Sequence, residues 1–290
     1  MEKIFIELLI NGIVLGSIFA LFSIGLTLIF GIMKIVNFAH GEYIMLGMYA
    51  SFWLFSLMGI NPYLSIIIIA PLFFFIGYLS QKFVIQPILN SPMVAQLLAT
   101  VGLGIVMQNF ALLFWSADPR SIQEVFIGRQ GIEMLGVKIS YEELMAFIIA
   151  TPMNICLFIF LKYTKLGKAL RATSQDMQAA KLMGIDVDKI YWIAFAISSA
   201  SVGIAGSVIL PIYPVNPTIG INFGLIAFVV VILGGITSIN GTFITGIIIG
   251  IIDSFSGYLL PSVFKESSFF IILLLILWFR PIGLFGRALA

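Results

Sequence analysis

The chain has 290 residues, of which 61% are hydrophobic and only 10% are charged. A soluble domain carries about 25% charged residues, so 15 basic and 13 acidic side chains cannot cover a water-exposed surface of this size. The net charge of +2 gives no indication of a polyanionic partner such as nucleic acid. The composition excludes a soluble globular protein and indicates an integral membrane protein.

The uncharged stretches predict the membrane spans in the N-terminal half, because a bilayer core takes about 20 apolar residues as a helix. Residues 8–33 predict one span. The stretch 43–81 is long enough for two spans, which a glycine, an asparagine and a proline at 59–62 join in a tight turn. Further spans are expected at 94–116 and 144–161.

The C-terminal half contains one uncharged stretch, 190–252, that is too long for a single helix. Prolines within 211–217 and the glycine pair 234–235 divide it, and a last span is expected at 264–280. We therefore predict an all-α, polytopic bundle of about eight to ten transmembrane helices, with broken helices, in a single domain over 1–290.

Two polar segments predict the orientation of the chain, because cytoplasmic loops carry an excess of lysine and arginine. Segment 162–189 has six basic against three acidic side chains, whereas segment 118–143 has three basic against five acidic ones. We expect 118–143 to be external and 163–189 to be cytoplasmic. Arg280 and Arg287, which have no acidic neighbour, predict a cytoplasmic C-terminus.

Small residues recur at steps of three and four in two of the predicted spans, which gives each span a face for close helix contact. The first set is Gly12, Gly16, Ala20, Ser23 and Thr27, and the second is Thr242, Gly246, Gly250, Asp253 and Gly257. Two interpretations remain open at this point. The faces are ordinary packing surfaces, or they belong to a structural repeat whose equivalent helices meet near a transport path.

Polar side chains interrupt the apolar sequence between the first two spans, at Lys34, Asn37, His40 and Glu42. One interpretation is a short, solvated cytoplasmic loop. The other is a break in a helix inside the membrane, where ionisable groups usually mark a pathway. The sequence offers His40 no second and third ligand, so we predict no metal site.

A second interruption combines Gly234 and Gly235 with Asn240, and such breaks in corresponding places of two halves indicate a binding or translocation site. Asp253 follows one helix further on. Its carboxylate would cost about 2.5–3.5 kcal/mol if it faced lipid at the bilayer centre, so it is expected to face protein or to lie near an interface. The candidates for a translocation pathway are thus Asn37, His40, Glu42, Gly234, Gly235, Asn240 and Asp253.

Segment 163–189 alternates helix formers with charge and has Gly184 as a C-terminal stop, which predicts one short amphipathic helix. It either docks in the groove of a partner protein or serves as a solvated connector. No nucleotide-binding loop, nucleophile elbow or zinc-protease motif occurs in the sequence. We predict that the chain is not an enzyme, needs no cofactor and hydrolyses no ATP itself.

The stretch 25–42, GLTLIFGIMKIVNFAHGE, resembles the N-terminal signature of LivH-type permeases, the membrane subunits of branched-chain amino-acid ATP-binding-cassette importers. Stretches 167–185, 234–242 and 280–286 fit the same family, so the resemblance covers essentially the whole chain. It favours the interpretation of 34–42 as a break inside the membrane.

The resemblance implies a heterodimer with a second homologous permease subunit, two cytoplasmic ATPase subunits and an external substrate-binding protein, in the cytoplasmic (inner) membrane of a prokaryote. It implies alternating access, driven by the ATPases, for leucine, isoleucine or valine. The residues implied in ATPase coupling are Gly167, Arg171, Ala172, Asp176, Ala179, Ala180 and Gly184. The alternatives are an importer of the same architecture for urea or short amides, and an ion-coupled carrier or channel.

Overall fold

The computed structural model describes residues 2–122, 131–134 and 137–286. Within these residues the chain forms helices in the order α1 (Glu2–Met33), α2 (His40–Met58), α3 (Pro62–Ser80), α4 (Met93–Trp115), α5 (Tyr141–Tyr163), α6 (Lys165–Gln175), α7 (Met177–Leu182), α8 (Val187–Ile209), α9 (Ile219–Gly234), α10 (Ile239–Leu259) and α11 (Ser262–Phe279). A π-helical turn, Gln81–Ile85, and a 3₁₀ turn, Gln86–Ile88, extend α3.

The helix content confirms the prediction of a polytopic, all-α membrane bundle. In the described part of the chain, all helices except α6 and α7 have 16 or more residues, which gives nine long helices. Among the described residues, six stretches are long and apolar enough to cross a membrane: 3–33, 62–88, 93–115, 141–163, 187–209 and 239–259. Helix α2 is not among them because it carries His40 and Glu42, yet it lies among α3, α4, α8 and α9. Protein rather than lipid surrounds its polar groups.

The segment predicted to be external contains a structure that the sequence patterns did not indicate. Strand β1 (Gly131–Met134) pairs antiparallel with β2 (Val137–Ser140), with Gly131 opposite Ser140. Helix α5 begins directly after this hairpin with a capping box: Ser140 Oγ accepts from the Glu143 amide, and Glu143 Oε2 accepts from the Ser140 amide. Arg129 and Arg287 lie outside the described residues.

The predicted turn between the second and third spans lies at its expected position. Gly59 ends α2 with a φ of 66°, in the left-handed region that favours glycine. Asn61 then begins α3 by accepting the Tyr63 amide on its side-chain oxygen at 3.0 Å.

The two faces of small residues pack directly against each other, because α1 and α10 run antiparallel along most of their length. A Cβ atom on Gly12 would lie 2.5 Å from the Ile251 Cα, and one on Gly246 would lie 2.7 Å from the Ala20 Cα. Toward the other end of this contact, Thr27 Oγ1 and Thr242 Oγ1 are 2.7 Å apart. Gly16 and Gly250 meet between these points. Backbone-to-backbone packing therefore accounts for Gly12, Gly16, Gly246 and Gly250, whereas Asp253 and Gly257 lie against Lys265 of α11.

Helix α5 separates the two polar segments. It has 23 residues, so its ends are about 34 Å apart. The hairpin precedes its first turn, and α6 follows its last turn. The two segments thus lie at opposite ends of the bundle, which we call the hairpin end and the α6 end.

Candidate functional site

The interruption after α1 returns into the bundle instead of forming a surface loop. Helix α1 ends at Met33, and Lys34 has a φ of 56°. The chain then runs back until His40 Nε2 lies 2.8 Å from the carbonyl oxygen of Phe22. Phe22 precedes the end of α1 by 11 residues, so α2 begins about 16 Å inside the α6 end of the bundle.

The non-helical segment 34–39 obtains its hydrogen bonds from neighbouring groups. Asn37 Oδ1 accepts from the Ala39 amide at 3.1 Å, and Thr100 Oγ1 of α4 donates to the Val36 carbonyl at 3.3 Å. Asn37 and Ala39 are buried, whereas Lys34 is exposed. The interpretation as a solvated loop therefore describes Lys34 but not the polar residues that follow it.

Glu42 is a buried carboxyl group in the first turn of α2, with 4% of the residue exposed. Its Oε1 accepts from Gln108 Nε2 of α4 at 2.7 Å. Its Oε2 is buried without a hydrogen-bond partner among the described residues. That oxygen lies against Gly220 of α9, where any Cβ atom would collide with it. Only glycine at position 220 leaves room for this carboxylate.

Helix α9 begins beside the start of α2. Gly41 contacts the backbone of both Gly220 and Gly224, and the rings of Phe22 and Phe223 have centroids 6.0 Å apart. No side chain in the described part of the chain forms an N-cap hydrogen bond at Ala39 or Thr218, the N-cap residues of the two helices. Because the first N–H groups of a helix have no partner within it, two partially positive helix ends meet at this depth.

A cavity of about 300 Å³ opens next to Glu42, between α2, α4 and α9. Its polar side chains are Glu42 and Gln108. Its apolar wall consists of Phe38, Val101, Ile105, Ile221, Leu225 and Phe228. Since Phe38, Ile105, Ile221 and Leu225 are also exposed, the cavity opens on an outer face of this chain. The site combines one carboxylate, one amide and an apolar wall.

The second interruption lies elsewhere. Gly235 ends α9 with a φ of 89°, and a Cβ atom there would lie 2.5 Å from the Gly286 amide nitrogen. The Leu284 amide donates to the Leu233 carbonyl at 2.7 Å. Thr237 and Phe285 line a cavity together with Arg171 of α6, so this turn is at the α6 end. The structure does not bring Gly234, Gly235 or the exposed Asn240 together with Glu42.

Asp253 also lies apart from the cavity. Its Oδ2 is 2.9 Å from the Lys265 ammonium of α11, and only 4% of its side chain is exposed. The neighbouring Phe255 contacts Phe5 near the start of α1, which puts Asp253 toward the hairpin end. The carboxylate faces protein instead of lipid, as its transfer cost requires. Of the seven pathway candidates, the structure groups only Asn37, His40 and Glu42.

The predicted single helix of segment 163–189 is wrong in one respect, since the structure has two helices there. Asp176 separates α6 from α7 because its Oδ1 accepts from the amides of Gln178 and Ala179, at 2.8 and 3.0 Å, and so caps α7. Gly184 follows α7 with a φ of 80°. Ala172 and Ala179 therefore lie on separate helices, α6 and α7.

The residues implied in ATPase coupling divide into anchored and exposed ones. Gly167 and Ala180 are buried, and Gly167 packs on the backbone of Leu161 at the end of α5. Arg171 donates from Nη2 to the Lys162 carbonyl at 2.9 Å. Ala172 is half-buried, whereas Asp176, Ala179 and Gly184 are exposed.

Sequence reasoning missed two sets of residues. Leu182 and Met183, at the tip of α7, are 89% and 82% exposed although both are apolar. Their position directly before Gly184 was the available signal. Gln108 and Gly220 complete the surroundings of Glu42, and the amide of Gln108 within the uncharged span α4 was a weak signal.

No group of three or more histidine, cysteine, aspartate or glutamate side chains that could hold a metal ion occurs in the part of the chain that the structure describes.

Comparisons with known proteins agree with the membrane bundle. Residues 8–279 match the family model described as "Branched-chain amino acid transport system / permease component". The high-affinity branched-chain amino acid transport system permease protein LivH of Salmonella typhimurium is 32% identical, over 98% of this chain and 96% of that protein. The corresponding protein BraD of Pseudomonas aeruginosa is 31% identical over the same shares.

A third relative comes from another organism. The probable branched-chain amino acid transport permease protein LivH of Methanocaldococcus jannaschii is 30% identical, over 91% of this chain and 84% of that protein. No solved structure matches the chain. The resemblance of stretch 25–42 to LivH-type permeases is confirmed. The chain belongs to the family of permease components of branched-chain amino-acid transport systems.

Proposed function

We propose that this chain is the permease subunit of an ATP-binding-cassette importer that carries leucine, isoleucine or valine across the cytoplasmic membrane by alternating access. The observation that carries the proposal is the family match, which extends from residue 8 to residue 279. The names of the three relatives describe branched-chain amino-acid transport, and each match covers at least 91% of this chain and 84% of the relative. The six long apolar helices supply the membrane bundle that such a subunit requires.

The pathway in this proposal passes the cavity between α2, α4 and α9. It is the place where buried polar groups, uncapped helix starts and apolar walls occur together. The cavity opens on a face with exposed Phe38, Ile105 and Ile221. A second, homologous permease subunit that packs on this face would close the cavity into a path between two subunits.

Two cytoplasmic ATPase subunits would dock at the α6 end, one on each permease. The support is the exposed apolar tip formed by Leu182 and Met183, which the Gly184 turn holds outward. Large apolar side chains that are exposed together at one tip indicate a surface that a partner protein covers. Gly167 and Ala180 fix the segment to the bundle, so movement of the tip would reach α5 and α1.

An external binding protein would deliver substrate at the hairpin end. Besides the hairpin, this end has a link between the segment after α4 and the segment after α8. Arg120 and Val215 exchange two backbone hydrogen bonds of 2.8 Å each there. The smaller number of lysine and arginine side chains in 118–143 than in 162–189, three against six, supports the external side for this end.

The test is leucine uptake into proteoliposomes that contain this chain with its partner subunits and the binding protein. We expect uptake only when ATP is present on the side of the membrane where the ATPase subunits are bound. Uptake that persists without the ATPase subunits would instead support an ion-coupled carrier, and uptake of urea without leucine would support the short-amide alternative.

The coupling part of the proposal is tested with Leu182→Ser combined with Met183→Ser. We expect at least about a tenfold loss of ATPase binding, since truncation of an interface anchor costs about 2 kcal/mol or more. Leu57→Ser is the control, because Leu57 is apolar and 75% exposed but lies near the last residue of α2, at the hairpin end of the bundle. Equal ATPase binding by the double variant and the control contradicts docking at this tip.

A further inference from the structure

We propose that Glu42 accepts the α-ammonium group of the transported substrate, while the apolar wall of the adjacent cavity holds the side chain. The inference rests on the proposed function and deepens it, since it names the substrate class that this site takes: a small primary ammonium compound with an apolar side chain.

The first argument is that only one of the two carboxylate oxygens of Glu42 accepts a hydrogen bond among the described residues. Oε1 has the Gln108 amide as a donor at 2.7 Å, but Oε2 is buried without a hydrogen-bond partner among the described residues. Charged groups inside a membrane bundle are usually paired or mark a substrate path. No lysine, arginine or histidine forms an ion pair with Glu42 in the described part of the chain. The carboxylate therefore has capacity for one cationic donor.

The second argument is the fixed position of that carboxylate. His40 holds the start of α2 to α1 through its 2.8 Å contact with the Phe22 carbonyl. Gln108 orients the carboxylate from α4, and Gly220 permits its approach to α9. Three helices thus determine the position of one charged group, which is the arrangement expected of a binding residue.

The third argument is the match between the cavity and the size and polarity of a leucine-like molecule. A volume of about 300 Å³ lies at the small end of ligand pockets. Its wall is apolar except for Glu42 and Gln108, so an aliphatic side chain is buried on one side while the ammonium group remains at the carboxylate. Urea and short amides have no ammonium group and would leave Glu42 without its counter-charge.

The experiment measures displacement of radiolabelled leucine from the purified importer, assembled with its partner subunits but without the external binding protein, at up to millimolar ligand. We expect displacement by isoamylamine, which keeps the ammonium and side chain of leucine. We expect none by isocaproate, which lacks the ammonium group, or by isobutyramide. Equal displacement by isoamylamine and isocaproate overturns the proposal, as does the absence of leucine binding.

The variant Glu42→Gln keeps the shape of the side chain and removes its charge. We expect leucine affinity to fall by about tenfold or more, because hydrogen bonds to charged groups are the strongest ones, while Glu42→Asp keeps part of it. The matched control is Glu7→Gln, which removes the same charge at an exposed position on α1. Unchanged affinity in Glu42→Gln overturns the assignment.

A second readout avoids substitution of Glu42 altogether. In a Cys156→Ser background, which removes the single native cysteine, Ile105→Cys puts a thiol on the cavity wall. We expect leucine and isoamylamine to slow its alkylation, and isocaproate to leave the rate unchanged. Leu113→Cys, exposed on the same helix but outside the cavity, serves as the control. Alkylation of Ile105→Cys at the same rate with and without leucine contradicts the site.

These outcomes separate the inference from the proposed function. If ATP-driven leucine uptake with the binding protein persists in Glu42→Gln at unchanged affinity, the ammonium site is wrong and the importer assignment stands. If the wild-type importer takes up no leucine under any condition, the proposed function is itself wrong.

Discussion

The two interruptions of helical structure, 34–39 and 235–238, differ in almost every physical respect although both are marked by polar or small residues. The first lies inside the bundle and leads into a helix whose first turn carries His40 and Glu42. The second is a short turn at the α6 end, formed by Gly235 and covered by residues 283–286. The side chains of Asn37 and Thr100 support the first by hydrogen bonds, whereas close backbone packing and the Ser238 side chain, which accepts from the Gly241 amide, support the second.

The difference separates two uses of a broken helix. A glycine turn allows two helices to approach each other, and here Ser238 caps the helix that follows by accepting from the Gly241 amide. A re-entrant segment leaves backbone groups exposed inside the bundle, so it requires donors such as Thr100 and Asn37. A buried carboxyl group beside the break, and not glycine alone, is therefore the feature that accompanies the cavity at Glu42.

The largest effect on stability is expected from Gly235→Ala. Alanine at this position would have to keep a φ of 89°, and its Cβ atom would collide with the Gly286 amide. The backbone strain and the collision together would cost about 3 kcal/mol. Thermal unfolding of the purified importer, followed by tryptophan fluorescence, measures the loss. Because this turn lies away from the cavity, uptake per folded importer is expected to remain within about twofold of wild type.

The matched control is Gly59→Ala, which has a similar φ of 66° but no neighbouring atom within 4 Å. It isolates the conformational cost, about 1 kcal/mol, from the collision. If Gly235→Ala abolishes uptake at unchanged stability, the second interruption belongs to the pathway and the distinction between the two is wrong.

A smaller loss of stability, about 2 kcal/mol, is expected for His40→Ala, since it removes a buried hydrogen bond to the α1 backbone. Asn154→Ala is the control, because Asn154 Nδ2 donates to the α1 carbonyl of Ser17 at 2.9 Å. Both variants are expected to lower the unfolding temperature similarly. Only His40→Ala is expected to reduce leucine uptake per folded importer, by about tenfold, because it releases the helix start that carries Glu42. Equal uptake by the two variants would contradict this role for the first interruption.

Much of the bundle could be predicted from the sequence because lipid sorts residues by charge over whole spans. The turn at Gly59, the seam of small residues on α1 and α10, and the long helices follow from local patterns. The partnership of Glu42 with Gln108 does not, because the two residues are 66 positions apart and belong to different helices. Pairing across helices depends on their arrangement, which hydropathy does not encode.

The division of segment 163–189 shows a different limit. In the sequence, Asp176 is indistinguishable from an exposed residue of a charged helix. Its carboxylate instead accepts from the first amides of α7, and α6 ends before it. The same side chain is compatible with both structures, and tertiary contacts of Gly167 and Ala180 with the bundle accompany the second. Local propensity was therefore not sufficient to distinguish one helix from two.

The smallest effect is expected at Lys34. It is the first residue of the first interruption and has a positive φ, as Gly235 has at the start of the second. Gly235 has a positive φ without cost, but Lys34 has a φ of 56° with a side chain attached, and it ends α1 through a 2.9 Å bond from its amide to the Phe30 carbonyl. Lys34→Gly relieves about 1–2 kcal/mol of backbone strain and adds about 0.5–1 kcal/mol of unfolded-state entropy, so a net gain of about 0.5 kcal/mol is expected. Lys34→Ala removes the same charge but keeps the Cβ atom, and is expected to give no gain. A higher unfolding temperature for Lys34→Ala than for Lys34→Gly would show that the charge, and not the left-handed backbone, determines the stability of this helix end.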